Sequence, residues 1–187
     1  MRIYVIGGKA KSGKNTFGNY LKEQLKDYGY KPCIIHITEP LYGYAKNYFE
    51  YDEYKDEKPR EFLQKMGIEI IKEKLGKPDF LLNRLFEDIE ILSNFFDTFI
   101  ITDARLIHEF EEIKNKYSET ITIKLERNNY NDNLTNEEKN HITEQEVDKY
   151  EEYDYIIENK GLDVLKIDAL EIIKNEEGSG EELIWIK

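Results

Sequence analysis

Gly8-Lys9-Ala10-Lys11-Ser12-Gly13-Lys14-Asn15-Thr16 follows the apolar run Ile3-Tyr4-Val5-Ile6 and precedes residues with helical periodicity. A glycine-rich turn between a strand and a helix is the setting in which backbone N–H groups wrap around phosphate oxygens and a helix directs its positive N-terminal end at them. Gly8 and Gly13 permit the backbone angles that such a loop needs, and Lys14 is placed to reach β- and γ-phosphates. A turn that merely satisfies the start of a helix is the structural alternative. The residue after the lysine is Asn15, and the hydroxyl that usually stands there comes one place later, at Thr16.

Working outward, strands and helices alternate. Phe17, Leu21, Leu25 and Tyr28 recur at three- and four-residue spacing and predict a first helix ending near Gly29. Cys33-Ile34-Ile35 reads as a short buried strand, and Leu41 to Phe49 as a helix. Tyr51 to Lys58 reads as a solvated loop closed by Pro59. Phe62, Leu63, Met66, Ile70, Ile71 and Leu75 predict one helix stopped by Gly76, and Pro78 opens the next through Leu82, Leu85, Ile89 and Leu92. Phe99-Ile100-Ile101 reads as a strand covered on both faces. A helix through Phe110, Ile113 and Tyr117, a strand over Thr120 to Leu125, a long polar segment, a strand at Tyr155-Ile156-Ile157 and a helix through Leu162, Leu165, Leu170 and Ile173 complete the pattern. Asn175 to Gly180 reads as a flexible joint, with Leu183 to Ile186 as a short edge strand or docking tail. The expectation is a mostly parallel five-stranded sheet with helices on both faces, in one domain over 1–187.

Composition narrows the function. The 187 residues carry 40% hydrophobic content and a formal charge of −12. One core suits this length, whereas nucleic acid and anionic membrane would both want a basic surface, so neither is an expected partner. The single cysteine, Cys33, forms no internal disulfide and is expected to be a small buried hydrophobe. No apolar stretch approaches the ~18 residues of a membrane span, and no signal segment is visible, so a cytoplasmic location is expected.

Ligands in such sheets collect at the C-terminal ends of strands. Behind the strands lie Glu39-Pro40-Leu41, Asp103-Ala104-Arg105, Glu126-Arg127 and Asn159-Lys160-Gly161. Each has a plain structural reading: a helix start, a cap at Asp103, a surface charge at Arg127 and a turn. Their shared position favours one cleft with the loop.

These segments, together with His141-Ile142-Thr143-Glu144 and Tyr153 to Gly161, resemble the deoxynucleoside monophosphate kinases of phages and bacteria, in order through nearly all of the chain. The resemblance implies a P-loop NTPase fold, a three-layer α/β/α sandwich like that of nucleoside monophosphate kinases, with a helical acceptor-binding region over 38–95 and a mobile lid over 126–152. It implies ATP and Mg²⁺ as cofactors and transfer of the γ-phosphoryl group to a nucleoside monophosphate. Animal-type phosphomevalonate kinases share a related pattern, so a kinase of another phosphorylated small molecule is the alternative acceptor reading. A nucleotide-dependent regulator is the non-enzymatic one.

On this resemblance the donor nucleotide lies on Gly8, Ala10, Lys11, Ser12, Gly13, Lys14, Asn15 and Thr16, with Asn159 and Gly161. The order Gly-Lys-x-Thr implies a threonine on phosphate, with water carrying much of the metal contact. Thr16 and Asp103 are the metal residues, directly or through water. Glu39, Pro40, Leu41, Arg60, Arg84 and Arg105 are the acceptor side, and Lys14, Arg105, Arg127 and Asp103 the catalytic set. An acceptor phosphate is already a nucleophile, so alignment and charge neutralisation suffice, and a guanidinium fork is suited to gripping it. Arg60 stands at a helix start, where its charge opposes the helix dipole, which suggests a role other than helix stability. Arg84 shares its helix with Glu87, Asp88 and Glu90, so an ordinary ion pair competes with a phosphate contact. In the polar segment Arg127, Lys139 and His141 are the groups able to meet phosphates, although for His141 a hydrogen-bonding role that fixes the lid helix is the preferred reading.

Overall fold

The structure is a computed structural model and describes residues 1–52, 56, 59–128 and 142–178. Five strands, β1 (Arg2–Gly7), β2 (Pro32–Ile35), β3 (Thr98–Ala104), β4 (Thr120–Glu126) and β5 (Tyr155–Glu158), form one sheet in the order β2-β3-β1-β4-β5. β1 runs parallel to β3 and β4, and β4 parallel to β5. Putting β1 between β3 and β4 buries Ile3, Tyr4, Val5 and Ile6 completely, as expected for an apolar strand covered on both faces.

Alternation along β1 assigns the two faces. Tyr4 and Ile6 join Phe17, Leu21 and Leu25 of helix α1 (Lys14–Asp27) and Leu165, Ala169 and Ile173 of the last helix, Leu162–Gly178, in one core cluster. Gly7 points the other way. A Cβ there would lie 2.6 Å from the Phe110 ring of helix α5 (Ile107–Lys116). Helices therefore cover both faces, and the three-layer α/β/α expectation holds. On the first face, a Cβ at Gly18 would lie 2.6 Å from Thr102 Cγ2, so the glycine allows α1 to lie close against β3.

The chain divides into two compact units, 1–34 with 96–187, and 35–95. The second contains α2 (Glu39–Tyr48), α3 (Arg60–Gln64) and α4 (Phe80–Leu92). Its core includes Leu41, Ala45, Ile71, Leu82, Leu85, Phe86 and Ile89. The helix expected from Phe62 to Leu75 is not uniformly α. After Gln64 it continues as a π-helix over Lys65–Lys74, and the Leu75 N–H donates to the Ile70 carbonyl at 2.9 Å. An apolar repeat reports which face is covered, not whether each N–H reaches back four residues or five. Gly76, at φ 62, ends the segment in the left-handed conformation.

Two other expectations are corrected, and the cap alternative for Asp103 falls. Asp103 lies within β3 and is not a helix cap; α5 begins at Ile107, with Leu106 at its N-cap. Residues 175–178 are the end of the last helix rather than a joint: Glu176 accepts from the Tyr155 hydroxyl at 2.6 Å, and Glu177 accepts from Tyr30 while pairing with Arg2. Cys33 is only half-buried, because β2 is an edge strand, and that burial raises its thiol pKa. Residues 183–186, expected as an edge strand or tail, lie outside the described residues.

Of the segment expected as a lid, residues 129–141, with Lys139 and His141, also lie outside the described residues. Helix α6 (Ile142–Lys149) follows, and the helix Leu162–Gly178 is then α7. Val147 of α6 and the adjacent Tyr150 are buried, and Tyr150 stacks on Phe110 with ring centroids 4.7 Å apart. Among the described residues no helix is long and apolar enough to cross a membrane.

Candidate active site

Strand register brings separated segments to one edge of the sheet. Gly7 stands opposite Ala104 of β3 and Lys124 of β4, and Glu126 opposite Glu158 of β5. The loop from Gly8, the β3 end at Asp103-Ala104 with Arg105 after it, Arg127 and Asn159 therefore emerge from neighbouring strand ends, as the sequence leads one to expect.

Three positive φ angles shape the loop: 142° at Gly8, 60° at Lys11 and 107° at Gly13, which is the N-cap of α1. The backbone at Gly8 passes so close to β4 that a Cβ would lie 2.3 Å from the Leu125 carbonyl oxygen. Lys14 is 8% exposed, and its Nζ donates to the Gly8 carbonyl at 2.6 Å and the Lys9 carbonyl at 2.7 Å. The ammonium is thus folded across the loop it belongs to. Ala10 and Ser12 are buried, and among the described residues the Ser12 hydroxyl has no hydrogen-bond partner. A buried hydroxyl without a partner costs free energy, and an oxygen of a bound polyphosphate would satisfy it. The loop, with its left-handed glycines, buried ammonium and unpartnered hydroxyl, fits a nucleotide phosphate chain.

The asparagine after the lysine now has a physical account. Its Oδ1 accepts from the Thr102 hydroxyl at 3.0 Å, which ties the first turn of α1 to β3. The hydroxyl available next in α1 is that of Thr16, which is half-buried. Asn159 and Arg127 both meet the loop itself. Asn159 Nδ2 donates to the Ser12 carbonyl at 2.8 Å while its Oδ1 accepts from the Gly161 N–H at 3.1 Å. Exposed Arg127 donates to the Lys11 carbonyl over a long 3.4 Å. Asn159 therefore braces the loop, and Gly161, at φ 132, closes the turn that holds it.

Asp103 and Arg105 are half-buried at the end of β3. Among the described residues no group of three acidic, histidine or cysteine side chains is built to hold a metal. Carboxylate and hydroxyl oxygens suit Mg²⁺, which takes one or two protein ligands and completes its shell with water and substrate phosphate. Asp103 and Thr16 match that donor set.

The other expected residues belong to the second unit. Arg60 is half-buried in the first turn of α3, and Glu39 and Pro40 lie in the first turn of α2. Leu41 is buried and lies against Gly67, where a Cβ would come within 3.2 Å of its Cδ1, so it packs the core of that unit. Arg84 is exposed and pairs with Glu87 at 3.2 Å, the ordinary surface bridge of a helix.

Two features escaped the sequence reading. Asp148 of α6 accepts from Lys9 of the loop at 2.6 Å and lies 3.3 Å from Lys124, which also pairs with Glu126 at 2.9 Å. Burial pushes the Asp148 carboxyl up, but the two lysines outweigh it and hold the pKa below its ordinary value. The second is Glu109, buried on α5 with its Oε2 accepting from the Arg105 and Leu106 N–H groups at 2.7 and 3.0 Å. Burial pushes its pKa up to about 7 against the pull of those two bonds, and the charge of Asp103 adds to the rise. The signal for Glu109 was its place three residues into the helix, where a carboxylate reaches back to cap. It is muted because the N-cap is leucine instead of serine or threonine.

Comparison with known proteins places this geometry. The family model described as deoxynucleotide monophosphate kinase matches residues 58–169. Similar solved structures include shikimate kinase from Aquifex aeolicus, at 20% identity and a TM-score of 0.51, covering 95% of this chain and 99% of that one. Shikimate kinase from Acinetobacter baumannii aligns at 19% identity and a TM-score of 0.52, covering 97% and 95%. A gluconokinase from Sinorhizobium meliloti 1021 aligns at 14% and 0.50, covering 96% and 98%. At such identities these likenesses speak to the fold alone. No curated protein matches the chain by sequence.

Proposed function

The chain belongs to the deoxynucleotide monophosphate kinase family, and from that premise we propose that it transfers the γ-phosphoryl group of ATP to the phosphate of a deoxynucleoside monophosphate, releasing ADP and the diphosphate. It is a nucleotide-dependent kinase of the P-loop type. The observation that supports the finer reading is the emergence of two cationic residues behind adjacent strands. Lys14 is folded over the loop after β1, and Arg105 is the first residue after the neighbouring β3.

The residues divide the work by their chemistry. N–H groups of the loop and the Ser12 hydroxyl hold the donor phosphates, with Lys14 exchanging its two loop carbonyls for phosphate oxygens and countering the charge that develops on them. Asn159 keeps the loop in shape from below. Arg105 grips the acceptor phosphate through two donors in one plane, which aligns it for in-line attack. No general base is needed, because the attacking oxygen already bears negative charge. Asp103 and Thr16 would hold Mg²⁺, directly or through water, and the metal would supply neutralisation of phosphate charge. Arg127 supplies charge to the donor side.

The experiment is a coupled ADP-release assay with dAMP, dCMP, dGMP and dTMP, with shikimate as an acceptor that lacks phosphate. Turnover is expected with at least one of the four monophosphates and not with shikimate. ADP release that ignores every monophosphate would refute the acceptor class.

A further inference from the structure

The carboxylate of Glu109 stands in an unusual place. Helix N-termini are ordinarily capped from the N-cap residue, on the surface, by a short polar side chain. α5 has Leu106 there, 5% exposed, and carboxylates take the place of a surface cap: Glu146 of α6 accepts from the Ile107 N–H at 3.1 Å, and Glu109, 9% exposed, accepts from inside. Only one of its two bonds serves the helix, the one from the Leu106 N–H at 3.0 Å. The shorter, at 2.7 Å, comes from the N–H of Arg105, which lies ahead of the helix and is the residue assigned to the acceptor phosphate. Both N–H groups converge on the same oxygen, Oε2. That oxygen therefore pins two successive peptide units between the end of β3 at Ala104 and the start of α5 at Ile107.

Withdrawing a carboxylate from water is unfavourable, and helix capping alone would be met at less cost by a surface serine. What the buried arrangement adds is a fixed direction for the backbone that carries the Arg105 side chain. The surroundings are rigid as well: Ala104 and Phe110 are fully buried on either side. A guanidinium on a long side chain loses alignment when its own backbone can rotate, and misplacement on the order of 1 Å costs up to about a hundredfold in rate.

We propose that Glu109 is a positioning residue for phosphoryl transfer: by accepting the Arg105 and Leu106 N–H groups from within the core, it fixes the turn that presents the Arg105 guanidinium to the acceptor phosphate. The inference rests on the acceptor reading above. A residue of this kind acts on the acceptor alone and through Arg105 alone, whereas a plain helix cap acts on stability and on neither substrate in particular.

The test is steady-state kinetics of the full chain with ATP and whichever of the four deoxynucleoside monophosphates it phosphorylates best. Glu109→Gln keeps an oxygen that can accept both N–H groups and is expected to stay within about threefold of the wild type in kcat/KM for acceptor. Glu109→Ala removes the acceptor atom and is expected to lower that kcat/KM by about tenfold or more, with the KM for ATP within about twofold. Glu109→Asp shortens the reach by one methylene, keeps the charge and is read in the same way, so that poor folding of the alanine variant leaves a second measurement. In an Arg105→Ala background, Glu109→Ala is expected to cost little more, since the group it positions is gone. Additive losses in the double variant, or equal losses for ATP and acceptor, would reduce Glu109 to a helix cap and overturn the proposal. If Arg105→Ala itself spares the acceptor, or if none of the four monophosphates is turned over, the acceptor reading fails and this inference with it. Selective loss in Arg105→Ala without selective loss in Glu109→Ala or Glu109→Asp sinks the inference and leaves the reading intact.

Discussion

Lys14 and Arg105 carry the functional reading at the scale of single residues, and they are separable. Lys14 is held by the Gly8 and Lys9 carbonyls in the protein as it stands, so its replacement removes two short loop contacts along with the charge. Lys14→Ala is expected to remain folded by circular dichroism but to lose about a hundredfold or more of its transfer rate, the scale for deleting a preorganised charge at the reacting group. Near-normal turnover would remove the loop from the chemistry. Arg105 follows directly on the neighbouring strand β3 and is assigned to the acceptor. A charge-assisted hydrogen bond contributes about 1.5–3 kcal/mol, so Arg105→Ala is expected to raise the acceptor KM by roughly ten- to a hundredfold while ATP affinity, measured by titration calorimetry, barely moves. Equal loss of ATP affinity would put Arg105 on the donor.

Among elements, the phosphate loop depends most on its backbone. Gly8 combines a φ of 142° with a Cβ position 2.3 Å from the Leu125 carbonyl oxygen, and that neighbour is main chain of a central strand, which cannot swing aside. Gly8→Ala is therefore expected to destabilise the fold by about 2 kcal/mol or more in urea unfolding and to weaken ATP binding as well. Gly13 offers a contrast: its Cβ would meet the Asn159 side-chain amide at 2.6 Å, so a substitution there displaces the brace that holds the Ser12 carbonyl. An unchanged unfolding midpoint in Gly8→Ala would show that β4 and the loop have room that the geometry denies them.

At the scale of the whole molecule, stability carries the mark of one buried carboxyl. Glu109 titrates at about 7 in the folded protein against 4.5 when exposed, so between those values the folded state holds a proton that the unfolded state has lost. The stabilisation that the neutral form provides is fully present below about pH 4.5, declines as pH rises, and is gone above about pH 7. Global stability of the wild type is expected to fall relative to Glu109→Gln by a few kcal/mol between pH 4.5 and pH 8, because each tenfold difference in proton affinity between the folded and unfolded states corresponds to about 1.4 kcal/mol. Urea unfolding of both proteins across that range measures the difference directly. Parallel stability curves would mean that Glu109 is ionised in the folded state as readily as in the unfolded one.

The order of strands and helices, the covered sheet, the phosphate loop and the strand ends that accompany it were legible in the sequence alone. Each is written in local signals: consecutive apolar residues in Ile3 to Ile6 and Phe99 to Ile101, three- and four-residue spacing in Phe17 to Leu25, and glycines where the chain must turn left-handed. The loop is itself a local object, since one contiguous stretch supplies both its N–H groups and its lysine. What the tertiary structure alone decided is which distant groups meet. The residue after the lysine became intelligible only when β3 brought the Thr102 hydroxyl to Asn15, and residues 175–178 proved helical because Tyr155, Tyr30 and Arg2 engage Glu176 and Glu177. Glu109 and the Lys9–Asp148–Lys124 cluster stayed hidden for the same reason. A charged residue read in sequence looks like a solvated surface position, and only packing, by taking it out of water and giving it particular N–H or ammonium partners, turns it into part of a site.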